Sequence, residues 1–195
     1  MEKIKIAITG GIGSGKSVIC KRLGRRGIQV YDCDDAAKRL MRTDVQLQKD
    51  LQQLVGEEVF VDGVLQKPVL ATYLLGSEAH QKAVGDIVHP AVARDFLASD
   101  YSWMESAILF ESGFDKRLDF DIIVCVTAPL ELRIQRVMER DGITREKTLD
   151  WMNRQFPQEE VRARSNYELV SGRDDIEEQI DRMLEDMKRK YKISI

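Results

Sequence analysis

Short apolar runs alternate along the chain with longer stretches in which apolar residues return every three or four positions, the pattern of an α/β domain with a mostly parallel sheet. The runs Ile4 to Thr9, Ile28 to Tyr31, Met104 to Phe110, Ile122 to Thr127 and Tyr167 to Val170 are bounded by glycine, proline or charged residues and predict five strands. Between the second and third lies far more chain than one crossover helix needs, so an insertion is expected there, a helical cap carrying substrate contacts with a merely structural insertion as the alternative. Inside it, Val45 to Leu54 and Lys67 to Leu75 have helical spacing, and Val59 to Leu65 predicts a hairpin turning at Asp62-Gly63. Arg133 to Arg164 is rich in arginine and broken by Asp141-Gly142, which predicts a mobile lid, with a solvated helical pair as the plainer alternative. About Asp174 to Lys190, a final helix lines up Ile176, Ile180, Met183, Leu184 and Met187, and Lys188-Arg189-Lys190 suits its negative end. The predicted organisation is one domain: a core of 1–33, 103–135 and 165–195, a helical substrate-binding insertion at 34–102 and a lid at 136–164.

Composition narrows the class. With 195 residues, 43% of them hydrophobic, the chain carries enough apolar material for a substantial core. Its formal charge of -3, from 30 basic and 33 acidic residues, offers no general field for nucleic acid or an acidic membrane, so any cationic site is local. Cys20, Cys33 and Cys125 are odd in number, far apart and outside any C-x-x-C spacing, which argues against zinc and against a disulfide framework. The first residues run straight into the first strand, leaving no room for a signal peptide, and no apolar run is long enough to span a bilayer. A soluble cytoplasmic protein, monomeric or a small homo-oligomer, is expected.

The decisive motif follows the first strand. Gly10-Gly11-Ile12-Gly13-Ser14-Gly15-Lys16-Ser17 fits G-x-x-x-x-G-K-[ST], the phosphate-binding P-loop, and the apolar-periodic stretch Val18 to Leu23 supplies the helix that must follow. Glycines let the backbone turn tightly and aim several N–H groups at phosphate oxygens by the helix start. Gly11, Ile12, Gly13, Ser14, Gly15, Lys16, Ser17 and Val18 form the expected ATP-binding set, with Lys16 reaching the β/γ-phosphates and the Ser17 hydroxyl serving Mg²⁺.

After the second strand stands Asp32-Cys33-Asp34-Asp35, where a parallel sheet presents its carboxyl ends. Phosphoryl transfer asks the protein mainly to position groups and stabilise charge, and one residue must orient the attacking oxygen. Asp32 is the candidate, because a carboxylate holds an acceptor hydroxyl and takes its proton late. Capping a helix from Ala36 to Met41 is the alternative for all three acids, and for Asp34 and Asp35 it fits equally well. None of this names the acceptor. A kinase of another small molecule, such as a nucleoside monophosphate, and a hydrolysing nucleotide switch both stay open, although no Asn-Lys-x-Asp stretch is present to read guanine. A nucleic-acid module fits poorly, since basic and acidic residues interleave.

Thr9 to Ser17, the Asp32-Cys33-Asp34 triplet, His89-Pro90 and Leu109-Phe110-Glu111 together resemble the dephospho-coenzyme A kinase family, in order and spacing over nearly the full chain. The resemblance implies a P-loop kinase related to nucleoside monophosphate kinases, with a five-stranded parallel sheet flanked by helices. It implies transfer of phosphate from ATP, with Mg²⁺, to the ribose 3′-hydroxyl of dephospho-coenzyme A, the last step of coenzyme A biosynthesis. Asp32 inherits the contact to the acceptor hydroxyl, with Cys33 in place of the family's alanine. Gln135 to Gly142 resembles the family's lid opening, so Arg140 inherits the arginine that reaches the phosphates, with Arg136 as the backup. Asp34, His89 and Glu111 are the further substrate-side candidates. A His before Pro also suits a helix start, and Glu111 also suits water-held Mg²⁺ or a structural ion pair. The chain departs from the family's C-terminal pattern at Ser165 to Gly172, where Asn166 and Ser171 replace an acidic and an amide residue and put the adenine contacts in question. Ser106-Ala107-Ile108-Leu109 also lacks a proline that often precedes the paired leucines.

Overall fold

A computed structural model describes residues 3–192. In chain order the elements are β1 (Ile6–Thr9), α1 (Lys16–Gly24), β2 (Val30–Asp32), α2 (Cys33–Thr43), α3 (Val45–Val55), a 3-10 turn (Glu57–Val59), β3 (Phe60–Val61), β4 (Val64–Leu65), α4 (Lys67–Gly76), α5 (Glu78–Ala98), β5 (Trp103–Glu105), α6 (Phe114–Leu118), β6 (Ile122–Thr127), α7 (Leu130–Asp141), α8 (Arg145–Asn153), α9 (Gln158–Ala163), β7 (Tyr167–Val170) and α10 (Ile176–Tyr191). They form two compact units, one from the chain up to Tyr31 and from Tyr101 onward, the other Asp32–Asp100.

The first unit is built on a five-stranded sheet of order β2-β5-β1-β6-β7. Its centre is parallel: β1 pairs with β5 and β6, and β6 with β7. All four residues of β1 are buried, the signature of a central strand covered on both faces, which is why Ile6-Ala7-Ile8 reads as an unbroken apolar run. Ile19 and Leu23 of α1 join Ile176, Ile180, Met183, Leu184 and Met187 of α10 in one cluster with Ile6, Ile8, Val124 and Val126. The predicted face of the last helix is thus the buried one. Arg22 and Arg26 pair with Glu177, and Arg26 also with Asp181 at 2.8 Å, tying the exposed margins of α1 and α10 together.

Two expectations for the first unit change. Met104 to Phe110 is not one strand: β5 ends at Glu105, and residues 107–113 form turns held by Ser112 N–H donating to Ile108 O at 2.9 Å. The reason lies next door, since Ser106 N–H donates to Ile8 O and β1 then gives way to the P-loop, leaving no backbone to pair with. Ile108, Leu109 and Phe110 cover the interior from a turn instead, with Leu109 fully buried. The arginine-rich span is not a solvated helical pair either. Ile134 and Val137 of α7 meet Met152 of α8 in a small core against which Ile12 of the P-loop packs.

In Asp32–Asp100, the predicted hairpin forms as β3 and β4, with Asp62 and Gly63 both at positive φ as a two-residue turn requires. Helices α3 and α4 match their predicted spans to within a residue or so. The longest helix, α5, was not anticipated, because Gly85 and Pro90 interrupt its pattern. An interior proline costs about 3 kcal/mol, and here Val84, Val88, Val92 and Phe96 are buried along the same helix. Burying such side chains contributes about 1.5–3 kcal/mol each, so the helix runs through. His89-Pro90 is therefore mid-helix, not a helix start. No helix among the described residues is long and apolar enough to cross a membrane.

Candidate active site

The P-loop links β1 to α1, and the side chains around it come from distant parts of the first unit. Lys16, only 9% exposed, donates from Nζ to Gly10 O at 2.7 Å and lies 3.7 Å from Glu105 Oε1. Glu105 reaches it because β5 neighbours β1 with Ile8 opposite Glu105. This carboxylate, at the end of the strand beside the P-loop strand, escaped the sequence reading, which extended that strand to Phe110.

Helix α7 grips the loop from another direction. Arg133 Nε donates to Ile12 O at 3.0 Å, and Arg136 Nη1 to Gly13 O at 3.2 Å and to Ser171 Oγ at 2.9 Å. Ser171 Oγ in turn donates to Ser14 O. Gly11 leaves room for this grip, since a Cβ there would stand 2.3 Å from Arg133 Nη2 and the guanidinium would have to shift. Burial pulls the Arg133 guanidinium below its ordinary value, yet arginine starts so high that it stays cationic. In a chain of net charge -3, the local cationic site is thus Lys16 with two buried or half-buried arginines at the loop. Ser14 Oγ is buried without a hydrogen-bond partner among the described residues. The nearby Cys125 thiol is pushed up to about 12 by burial, which leaves it a core residue and no nucleophile.

The P-loop is a phosphate-binding motif, and comparison with known proteins says in which family this one stands. The model of the family described as dephospho-CoA kinase matches residues 4–184. The chain belongs to the dephospho-CoA kinase family. It is 43% identical over 175 residues to a dephospho-CoA kinase of Bacteroides fragilis, covering 86% of this chain and 84% of the relative. To a dephospho-CoA kinase of Thermus thermophilus it is 37% identical over 172 residues, covering 85% and 82%. The crystal structure of TT1252 from Thermus thermophilus superposes with a TM-score of 0.79 at 32% identity, covering 96% of this chain and 99% of that one.

The other residues that the sequence attached to this dephospho-CoA kinase family fall in several places. Asp32 closes β2 and caps α2, its Oδ1 accepting from Asp35 N–H at 2.9 Å; the cap is Asp32, while Asp34 and Asp35 are exposed in the first turn. His89 lies in α5 with its ring across Gly85, where a Cβ would stand 2.9 Å from His89 Cε1. Glu111 does not close a strand; it sits in the turns after β5, and its Oε1 accepts from Phe156 N–H at 2.8 Å. Arg140 is exposed and pairs with Asp141 at 2.7 Å, one turn beyond Arg136. Of the two arginines, Arg136 is the one at the P-loop. The departures at Asn166 and Ser171 acquire local roles: Asn166 Oδ1 accepts from Ile123 N–H at 2.7 Å, fastening β7 to β6, and Ser171 braces the P-loop.

Proposed function

We propose that this chain transfers the γ-phosphoryl group of ATP to the ribose 3′-hydroxyl of dephospho-coenzyme A, giving coenzyme A and ADP. The observation that carries the reading is a P-loop with a buried lysine and two arginines in contact with it, in a chain that the dephospho-CoA kinase model matches from residue 4 to 184. ATP lies on Gly11 to Val18. Lys16 exchanges Gly10 O and Glu105 for phosphate oxygens and offsets the charge that builds on the transferring group. Arg136 braces the loop; Arg140, whose exposed pair with Asp141 is easily exchanged, is the arginine that comes to the phosphates. Asp32 orients the acceptor hydroxyl and takes its proton as the new P–O bond forms, while Asp34, His89 and Glu111 contact the acceptor.

Mg²⁺ fits the donors present. Ser17 offers a hydroxyl and Glu105 a carboxylate on the strand beside the loop, both hard oxygen ligands, and Mg²⁺ keeps most of its remaining positions for water and phosphate. Bound there, it supplies positive charge to the phosphate oxygens. The reading carries with it a cytoplasmic location, small-molecule substrates only, and a monomer or small homo-oligomer.

The test is ADP release from ATP and Mg²⁺ with and without dephospho-coenzyme A, with mass spectrometry of the product. Strong stimulation and a product heavier by one phosphoryl group are expected. ADP release indifferent to dephospho-coenzyme A would overturn the assigned acceptor.

A further inference from the structure

Gln155 lies in the turn between α8 and α9, 143 residues from the P-loop in sequence, and bonds to the loop directly. Its Oε1 accepts from Ile12 N–H at 2.7 Å and its Nε2 donates to Ala107 O at 3.4 Å. The next residue is fastened as well, since Phe156 N–H donates to Glu111 Oε1 at 2.8 Å. On the other side of Ile12, its carbonyl accepts from Arg133 Nε at 3.0 Å. The main chain of Ile12 is therefore held at both its donor and its acceptor, by groups from two separate segments, and its side chain packs on Ile134, Val137 and Met152.

We propose that Gln155 is a positioning residue for the nucleotide, acting through Ile12 to hold the P-loop in its phosphate-gripping form. The physical argument concerns populations. A loop with glycines at 10, 11, 13 and 15 has many backbone states in reach, and a ligand that needs one of them binds more weakly by the fraction of time the loop spends there. Two hydrogen bonds to Ile12 restrict the loop before phosphate arrives, so less ordering is left for binding to supply. Because Gln155 stands between α8 and α9, the same amide ties the arginine-rich segment to the P-loop. The proposal rests on the nucleotide site described above, not on the identity of the acceptor.

The test compares Gln155→Met, which keeps the length and loses both polar atoms, with Gln155→Glu, which keeps the acceptor for Ile12 N–H. Calorimetry gives the affinity of the full chain for ATP with Mg²⁺, and hydrogen exchange follows the Ile12 amide. Gln155→Met is expected to weaken ATP about tenfold, the worth of one lost hydrogen bond of about 1.4 kcal/mol, and to speed exchange at Ile12. Its melting temperature and its KM for dephospho-coenzyme A should stay near those of the unaltered protein. Gln155→Glu should bind ATP within about threefold of the unaltered chain. Unaltered ATP affinity in Gln155→Met overturns the proposal, as does a loss in Gln155→Glu equal to that in Gln155→Met, or a fall in melting temperature with both KM values rising together. An unaltered chain that binds ATP but leaves dephospho-coenzyme A untouched would defeat the acceptor reading and leave the Gln155 comparison intact.

Discussion

The two units of this chain commit their chemistry to different parts of the polypeptide. Around the P-loop the candidate groups are largely main chain, and the side chains of Arg133, Arg136, Gln155 and Ser171 bond to that main chain or to one another. In Asp32–Asp100 the candidate groups are side chains on helices: Asp32 and Asp34 at the start of α2, and His89 within α5. A backbone site needs glycines at set intervals and leaves a pattern in the sequence. A site made of single side chains leaves no pattern, and its residues are recognised by resemblance or by structure.

The largest effect expected is on the backbone side. Lys16→Ala should lower kcat/KM about 10²–10³-fold, the scale for losing one preorganised charge-stabilising group, as read by steady-state kinetics; activity within threefold would remove Lys16 from the proposed chemistry.

Asp32 offers the sharpest separation, because it both caps a helix and is assigned to the acceptor. Asparagine caps as well as aspartate, so Asp32→Asn should keep its melting temperature while kcat falls about 10²-fold or more. Asp32→Ala should lose both, with about 1 kcal/mol of stability gone. Equal turnover in Asp32→Asn and the unaltered chain would leave Asp32 a cap and nothing else.

Gly11→Ala pushes a methyl group against the Arg133 guanidinium and should cost about 1–3 kcal/mol in stability or loop geometry, with ATP affinity falling accordingly. Gly24→Ala, exposed at the end of α1 with nothing near its Cβ, should instead raise stability by about 0.5–1 kcal/mol. Thermal melts with and without nucleotide distinguish the two.

The smallest effect concerns acid. Asp186 is held well below the usual carboxylate range by bonds from Lys190 and then Tyr167, Glu177 by Arg26, Asp141 by Arg140 and Glu131 by Arg145. All four belong to the unit that carries the sheet. A carboxylate whose folded pKa is depressed stabilises the fold fully above its unfolded value, and that contribution disappears as pH falls through the folded one. In Asp32–Asp100, Lys38 is raised, chiefly by its hydrogen bond to Asp35, and its contribution is lost only as pH climbs past the lysine range. Hydrogen exchange below about pH 4 should therefore show α7 and α10 losing protection, and Glu177→Gln should flatten the dependence. All four pairs reach solvent, so the change in stability is modest.

The parts legible in the sequence were those with local causes. Apolar runs located all five strands of the main sheet, although β5 proved shorter, because its end depends on where β1 stops and no local signal carries that. The hairpin at Asp62-Gly63 and the buried face of α10 follow from turn chemistry and from helical period. Glu105, Arg133 and Gln155 were out of reach for the opposite reason: their partners at the P-loop lie about 90 to more than 140 residues away, and only the packed sheet brings them there. For α5 the breakers Gly85 and Pro90 obscured a helix that tertiary burial sustains.

The ring of His89 lies where a side chain at position 85 would have to be. Glycine and histidine one helical turn apart thus share one volume, the first leaving empty what the second fills. A descendant that gains a side chain at 85 has to turn the ring at 89 aside, so the direction of that ring is set by what stands one helical turn earlier.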